Sequence, residues 1–171
     1  AQSMATGVGA QALGASSIAT GAGAMAASDN GVAIGTGAYV AATGTYTVTN
    51  KYGTQTYTAA TRGIAMGYHA TELGVDGIAI GNNSIVMAPD AVVVGPNAGA
   101  APGAVNGVAI GNKAVSYGDS SVAVGFNTFA IGAGAIAIGK NTWTYGLEGF
   151  AAGNEATSWG DYATAIGPES Y

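Results

Sequence analysis

The sequence predicts an all-β fold, a solenoid of stacked short coils, and three observations predict it. Pentads such as GVAIG at 107–111, GIAIG at 77–81 and AIAIG at 135–139 recur along the chain. The glycine that closes each pentad returns at a nearly constant interval, the mark of a repeat architecture. Within the pentad, large branched residues alternate with a small one, which is the period of a strand whose two faces meet different surroundings.

The closing glycines are Gly7, Gly21, Gly35, Gly67, Gly81, Gly95, Gly111, Gly125, Gly139, Gly153 and Gly167. Of the ten intervals, eight are 14 residues, one is 16 and one is 32. The longest reads either as two repeats plus four residues or as one repeat plus an 18-residue insertion.

Each coil divides into four parts. The first is the pentad strand, in which β-branched residues flank Ala, or Val93 in one coil, as suits a pleated surface. A turn follows: the second position past the glycine is Gly or Asn in seven of eleven coils (Gly9, Gly23, Gly37, Asn83, Asn97, Asn127, Asn141), the residues that best tolerate a left-handed backbone. The next position is always Ala, Ser or Thr, and it opens a second strand. A further glycine often closes that strand (Gly14, Gly74, Gly118, Gly132, Gly146, Gly160) and allows a second turn. Two strands and two turns in 14 residues make a flattened coil, and coils about 4.8 Å apart build a rod.

Composition narrows the function. The 171 residues include 30 glycines, no cysteine and only four cations, Lys51, Arg62, Lys113 and Lys140, for a net charge of -5. No thiolate chemistry or disulfide framework is available, and no basic patch exists to grip phosphates, which excludes nucleic acid as a partner. The uncharged stretch 91–110 contains Pro96, Pro102 and several glycines in register with the repeat, so it reads as coil and not as a membrane span; direct membrane contact by this segment is not expected. No basic region followed by an apolar run opens the sequence, so no export signal is visible within it. The chain reads as one domain over 1–171, with a β-hairpin inserted at 42–60, where Thr alternates with Tyr46, Val48, Gln55 and Tyr57 around NKYG.

The alternation assigns the faces. The file Ala19, Ala33, Ala65, Ala79, Ala109, Ala123, Ala137 and Ala151 is expected to look into the coil, between sheets too close for larger groups. The interior is then a thin core of Ala, Ser and Thr. The opposite face carries Val32, Ile34, Ile64, Met66, Ile78, Ile80, Val92, Val94, Val108, Ile110, Val122, Val124, Ile136 and Ile138. With the terminal coils included, 18 of its 22 positions are large and apolar. Soluble monomers rarely expose a contiguous apolar patch of this kind, and burying each Val or Ile is worth about 1.5–3 kcal/mol. The stripe is therefore expected to be an interface between copies of the chain.

Pentads of this form at 14-residue spacing, each followed by x-(Asn/Gly)-(Ala/Ser/Thr), resemble the head repeats of YadA-like trimeric autotransporter adhesins of Gram-negative bacteria. The resemblance covers nearly the whole chain. It implies a left-handed parallel β-roll, a homotrimer, a place on the bacterial cell surface, and a virulence-linked role in adhesion. The partners it implies are host extracellular matrix, glycans, cell receptors or other surfaces. No heptad stalk, helical neck or membrane-anchor pattern is evident within 1–171, so the segment reads as a head, with its outer-membrane anchor expected in C-terminal regions outside it.

No enzyme is expected. No Ser, His and Asp join in a triad, no carboxylate pair converges on a pocket, and no cofactor or metal motif is present. His69 occupies the turn position filled elsewhere by Gly or Asn. Asp29, Asp76, Asp90, Asp119 and Asp161 fall largely between strands and read as solvated turn carboxylates, outside the calcium-binding repeat frame. Hexapeptide acyltransferases share the coil architecture but run in units of six and rely on a cleft histidine.

Binding surfaces remain. In the C-terminal half the second strand carries Val115, Phe129 and Trp143 in one file and Tyr117, Ile131, Tyr145 and Trp159 in the next. These rings either stack coil on coil or form an exposed binding strip, with Phe129, Trp143, Tyr145 and Trp159 the candidates. The hairpin tip, Asn50, Lys51 and Tyr52, is the other candidate. Two alternative functions stay open: a spacer rod in a surface fibre, and an ice-binding solenoid, for which a flat Thr array is needed where this chain has Val and Ile.

Overall fold

A computed structural model of the chain describes residues 2–41, 45–50, 53–58 and 62–171, with 45–50 and 53–58 described by backbone pairing. The pentads form one eleven-stranded parallel sheet running from Met4–Thr6 to Thr164–Ile166. The second strands form a ten-stranded parallel sheet from Gln11–Ala12 to Thr157–Ser158. The described residues form a β-solenoid of about ten turns, with no helix. Every pentad pairs with the next one in register, so that Ile78 lies between Ile64 and Val92.

The two irregular intervals resolve differently. Val32 pairs directly with Ile64 and Tyr39 with Thr71, so no coil lies between them. The interval of 32 is thus one repeat plus an 18-residue insertion. Strands Thr45–Asn50 and Gly53–Thr58, within that insertion, pair antiparallel with each other and with neither parallel sheet. The 16-residue interval keeps Val92 opposite Val108 and places its two extra residues in the connection 101–107, where the Ala104 amide donates to the Ala101 carbonyl at 2.9 Å. The uncharged stretch 91–110 is accordingly coil, containing Val92–Val94, Gly99–Ala100 and Val108–Ile110.

Backbone conformation explains the glycine and asparagine pattern and extends it. The second position past the pentad glycine has φ between 51° and 69° in all eleven coils, including His69, Lys113, Glu155 and Glu169. A second left-handed residue, which the sequence did not reveal, closes the other turn at Ser16, Asn30, Asp76, Asp90, Asn106, Ser120, Gly134, Glu148 and Tyr162. The two glycine ladders differ in cause. Gly81 has φ 138° and a Cβ there would overlap the Gly95 carbonyl, whereas Gly132 lies outside the left-handed region and is required only because a Cβ would overlap the Gly146 carbonyl in the next coil.

The interior is the alanine file. Ala19, Ala33, Ala65, Ala79, Ala109, Ala123, Ala137 and Ala151 are fully buried, as are the small residues after the turn from Ala24 to Ala156. Several interior hydroxyls find partners at short range, as buried polar groups mostly do, while Ser28 Oγ and Thr128 Oγ1 have none. Thr144 Oγ1 donates to the Ile136 carbonyl at 2.9 Å and Ser158 Oγ to the Ala163 carbonyl at 2.9 Å. The expectation of an interior made only of Ala, Ser and Thr fails in one region. There Val40, Glu72 and Val86 occupy successive inner positions of the second sheet, fully buried. Space for them comes from the opposite side, where Gly31, Gly63 and Gly77 stand and a Cβ would crowd these side chains. Close-packed interiors demand this exchange of volume between facing positions.

Candidate functional site

The outside of the roll has two contrasting faces. On the eleven-stranded sheet, the fourteen residues from Val32 to Ile138 that the sequence assigned to an interface all lie on the side opposite the buried alanines, partly buried or exposed. Parallel register aligns them in two rows: Val32, Ile64, Ile78, Val92, Val108, Val122 and Ile136 in one, Ile34, Met66, Ile80, Val94, Ile110, Val124 and Ile138 in the other. Ile80, Ile110 and Ile138 keep 36%, 41% and 41% of their surface exposed even within this uninterrupted array. The rows end where Thr6 and Thr20 at one end and Ala152 and Thr164 at the other replace large residues. Among the described residues nothing covers this surface.

The second sheet carries the two aromatic files. Parallel pairing sets Phe129 beside Trp143, and Tyr117, Tyr145 and Trp159 follow the ends of their strands at the same spacing. The two files do not stack independently. Ring centroids run Tyr117 to Phe129 at 6.4 Å, Phe129 to Trp143 at 4.2 Å, Trp143 to Tyr145 at 5.9 Å and Tyr145 to Trp159 at 4.3 Å, with interplanar angles of 22° or less. This is one continuous stack of five rings that crosses between the files twice, from Tyr117 to Phe129 in the next coil and from Trp143 to Tyr145 within a coil. Its geometry has a chemical consequence: the π-faces are engaged by other rings, so Phe129, Trp143 and Tyr145 present mainly edges to the outside. The end ring, Trp159, is 63% exposed. At the other end Tyr117 walls a notch of about 220 Å³ opened by Gly99 and lined also by Ile85, Met87, Asn97 and Val115. The sequence reading missed this notch, whose signal is a glycine at a position held by Ile85 and Val115 in adjoining coils.

Of the hairpin-tip candidates, Asn50 ends a strand and pairs with Gly53, while Lys51 and Tyr52 lie outside the described residues. His69 stands in the left-handed turn position with Tyr68 edge-on to it at 4.2 Å. The turn carboxylates are more engaged than free solvation suggests. Asp29 accepts from the Ala15 amide at 2.7 Å and Asp161 from the Leu147 amide at 2.8 Å, each capping the preceding coil. Asp76 binds Arg62 through two hydrogen bonds of 3.0 and 2.5 Å, which raises the Arg62 pKa. Among the described residues no three His, Asp or Glu side chains converge in a metal-binding arrangement.

A model of the YadA head domain repeat (2 copies) matches residues 1–24, 14–38, 73–98, 103–128, 130–156 and 146–170. The chain belongs to the YadA head family. Apart from the single residues 129 and 171, the matches leave out 39–72 and 99–102, where this YadA head carries its insertion and part of its longer coil. No curated protein gives a significant match to the chain. Membership in the YadA head family implies a surface function of the trimeric autotransporter adhesin type, with homotrimeric assembly and binding to host surfaces in general. Such β-solenoid heads are typically non-enzymatic.

Proposed function

We propose that this YadA head is a non-catalytic, multivalent adhesin module of a Gram-negative bacterium, displayed on the cell surface and anchored in the outer membrane by regions outside 1–171. The observation that carries the reading is the contrast between an apolar stripe that no described residue covers and the aromatic files on the other sheet. The stripe serves self-assembly into a homotrimer through the fourteen residues from Val32 to Ile138. The remainder meets the partner, a host extracellular-matrix protein, glycan or receptor. Three parallel copies of one rod multiply weak contacts into a strong hold.

Within the remainder the contributions are unequal. Phe129, Trp143 and Tyr145 hold the ladder together, and Trp159, with a free ring face at the end of the stack, is its main contact residue. Asn50, Lys51 and Tyr52 at the hairpin tip supply the second contact. Strands Thr45–Asn50 and Gly53–Thr58 of the inserted hairpin, 42–60, pair with neither sheet of the roll, and its removal is expected to cost the scaffold little, since insertions at a rigid surface are tolerated.

The test is a binding screen of the purified head against matrix proteins and glycans, with a variant whose residues 45–58 are replaced by a short Gly-Ser link and with Trp159→Ala. Loss of binding in either variant, with assembly and thermal unfolding unchanged, supports the reading. The stacking of ring faces favours one rival, a spacer rod within a longer fibre; retained display of the fibre with no binding by the native head in any arm of the screen would establish the rival instead.

A further inference from the structure

The coil that follows the insertion contains an ionisable group where its neighbours have hydrocarbon. Glu72 pairs in register with Val40 on one side and Val86 on the other, and its side chain is fully buried inside the roll. No side chain donates to either carboxyl oxygen, and the backbone amides of Gly74 and Gly77 approach the group without making a hydrogen bond of good geometry. The carboxyl fills volume left by two glycines, since a Cβ at Gly63 or at Gly77 would fall on its oxygens. An ionised carboxylate in such a place would lack both solvent and a counter-charge, which costs several kcal/mol. The carboxyl is therefore held in its neutral form.

Its position links it to the insertion. The Ala41 amide donates to the Glu72 carbonyl at 2.9 Å, and the Val32 amide donates to the carbonyl of Gly63, the residue whose missing side chain makes room for the carboxyl. Ala41 and Gly63 are the roll residues on either side of the inserted segment. Glu72 thus sits between the points where the hairpin leaves and rejoins the scaffold.

We propose that Glu72 is an alkali-triggered latch, which as a neutral carboxyl packs shut the coil that holds Ala41 and Gly63, the residues flanking the insertion, and on ionisation opens that coil. Burial is the largest influence on its titration and pushes the pKa from 4.5 to about 8, with Asp76 adding to the effect and the amides of Gly74 and Gly77 opposing it. The charged groups around it are few. Asp76 on the turn of its own coil is paired with Arg62, and Asp90 stands on the same turn of the next coil. Strands Tyr39–Val40, Ile64–Met66, Ile78–Ile80 and Ile85–Val86 bring only the Tyr39 phenol, on the outward side. No described cation faces the carboxyl to hold it ionised.

The sign follows from the raised value. The closed coil keeps a proton that the open coil loses above its ordinary pKa, so the closed form is most favoured below about pH 4.5 and the opening equilibrium rises about tenfold per pH unit up to about pH 8, where it levels. This goes beyond the adhesin reading and needs no ligand.

The experiment uses the whole chain as it assembles. The Glu72 side-chain carbon is followed by NMR against pH, and cleavage at the hairpin base by a protease is measured over the same range, normalised to an unstructured peptide. The expected results are a titration far above the ordinary carboxylate range and cleavage that climbs with pH in the native chain. Glu72→Gln and Glu72→Val, the latter restoring the residue of the coils on either side, should show flat cleavage. A carbon titrating near 4.5, or a pH profile shared by the native chain and the valine variant, would overturn the latch. The native titration alone decides the matter should the glutamine variant not fold.

Discussion

Lys113, Glu155, Glu169 and His69 occupy a backbone conformation that costs an L-residue about 1–2 kcal/mol and that Gly or Asn adopts more readily. Lys113 is exposed there, so Lys113→Asn should stabilise the head, by about 0.5–1 kcal/mol on the scale of other backbone-compatible substitutions; a fall in the thermal midpoint would mean that the lysine makes a contact worth more than its strain. Inside the roll the constraint is volume. Ala109 is fully buried between Val93 and Ala123 in the same file, and Ala109→Leu should destabilise by about 1–3 kcal/mol through overpacking, read by denaturant unfolding. An unchanged midpoint would contradict the burial of that face. The alanine file was legible in the sequence because strand alternation has a fixed period. The run Val40, Glu72, Val86 was not, because its size is compensated by Gly31, Gly63 and Gly77 in another part of the coil, a relation between positions nine residues apart or in a different coil, which strand period alone does not reveal.

At the scale of the strand and its neighbours, the ring stack separates stability from contact. Trp143 has two ring neighbours, Phe129 and Tyr145, whereas Trp159 has one, Tyr145. With each aromatic pair worth about 0.5–1.5 kcal/mol beyond area burial, Trp143→Ala should cost more stability than Trp159→Ala. Thermal unfolding of the two variants checks this, and equal losses would show that the rings do not act as one ladder. In adhesion the order should reverse, because Trp159 is the more exposed ring. The spacing of the aromatics was plain in the sequence, yet it suggested two separate files. The crossing from Trp143 to Tyr145, with centroids 5.9 Å apart, depends on how the rings are oriented, which repeat spacing does not encode. The same limit applies to the 32-residue interval, whose two readings differ only in whether Val32 meets Ile64 directly, a question of pairing that residue counts leave open.

For the whole molecule, burial of the rows from Val32 to Ile138 in the proposed trimer would make assembly the main source of hydrophobic burial, because the coil interior contributes little beyond alanine methyls. Burying a Val or Ile from water yields about 1.5–3 kcal/mol, and each stripe residue is partly shielded already by its neighbours in the stack, so many small gains must add along the rod. A long cooperative interface of this kind tolerates the loss of one methyl group and fails on the introduction of charge. Ile110 lies mid-stripe and 41% exposed, so Ile110→Asp leaves the single coil able to close, with its carboxylate in water. In the proposed trimer three such carboxylates would converge in a dry interface without counter-charges, at a cost of several kcal/mol each. Light scattering of the native head should give a mass near three times 16.4 kDa, and Ile110→Asp should reduce it to that of one chain at the same concentration, whereas Ile110→Val should retain the trimer. A native head that remains a folded monomer, or an aspartate variant that still assembles, would remove the stripe from the interface and leave those rows as a surface for some other partner.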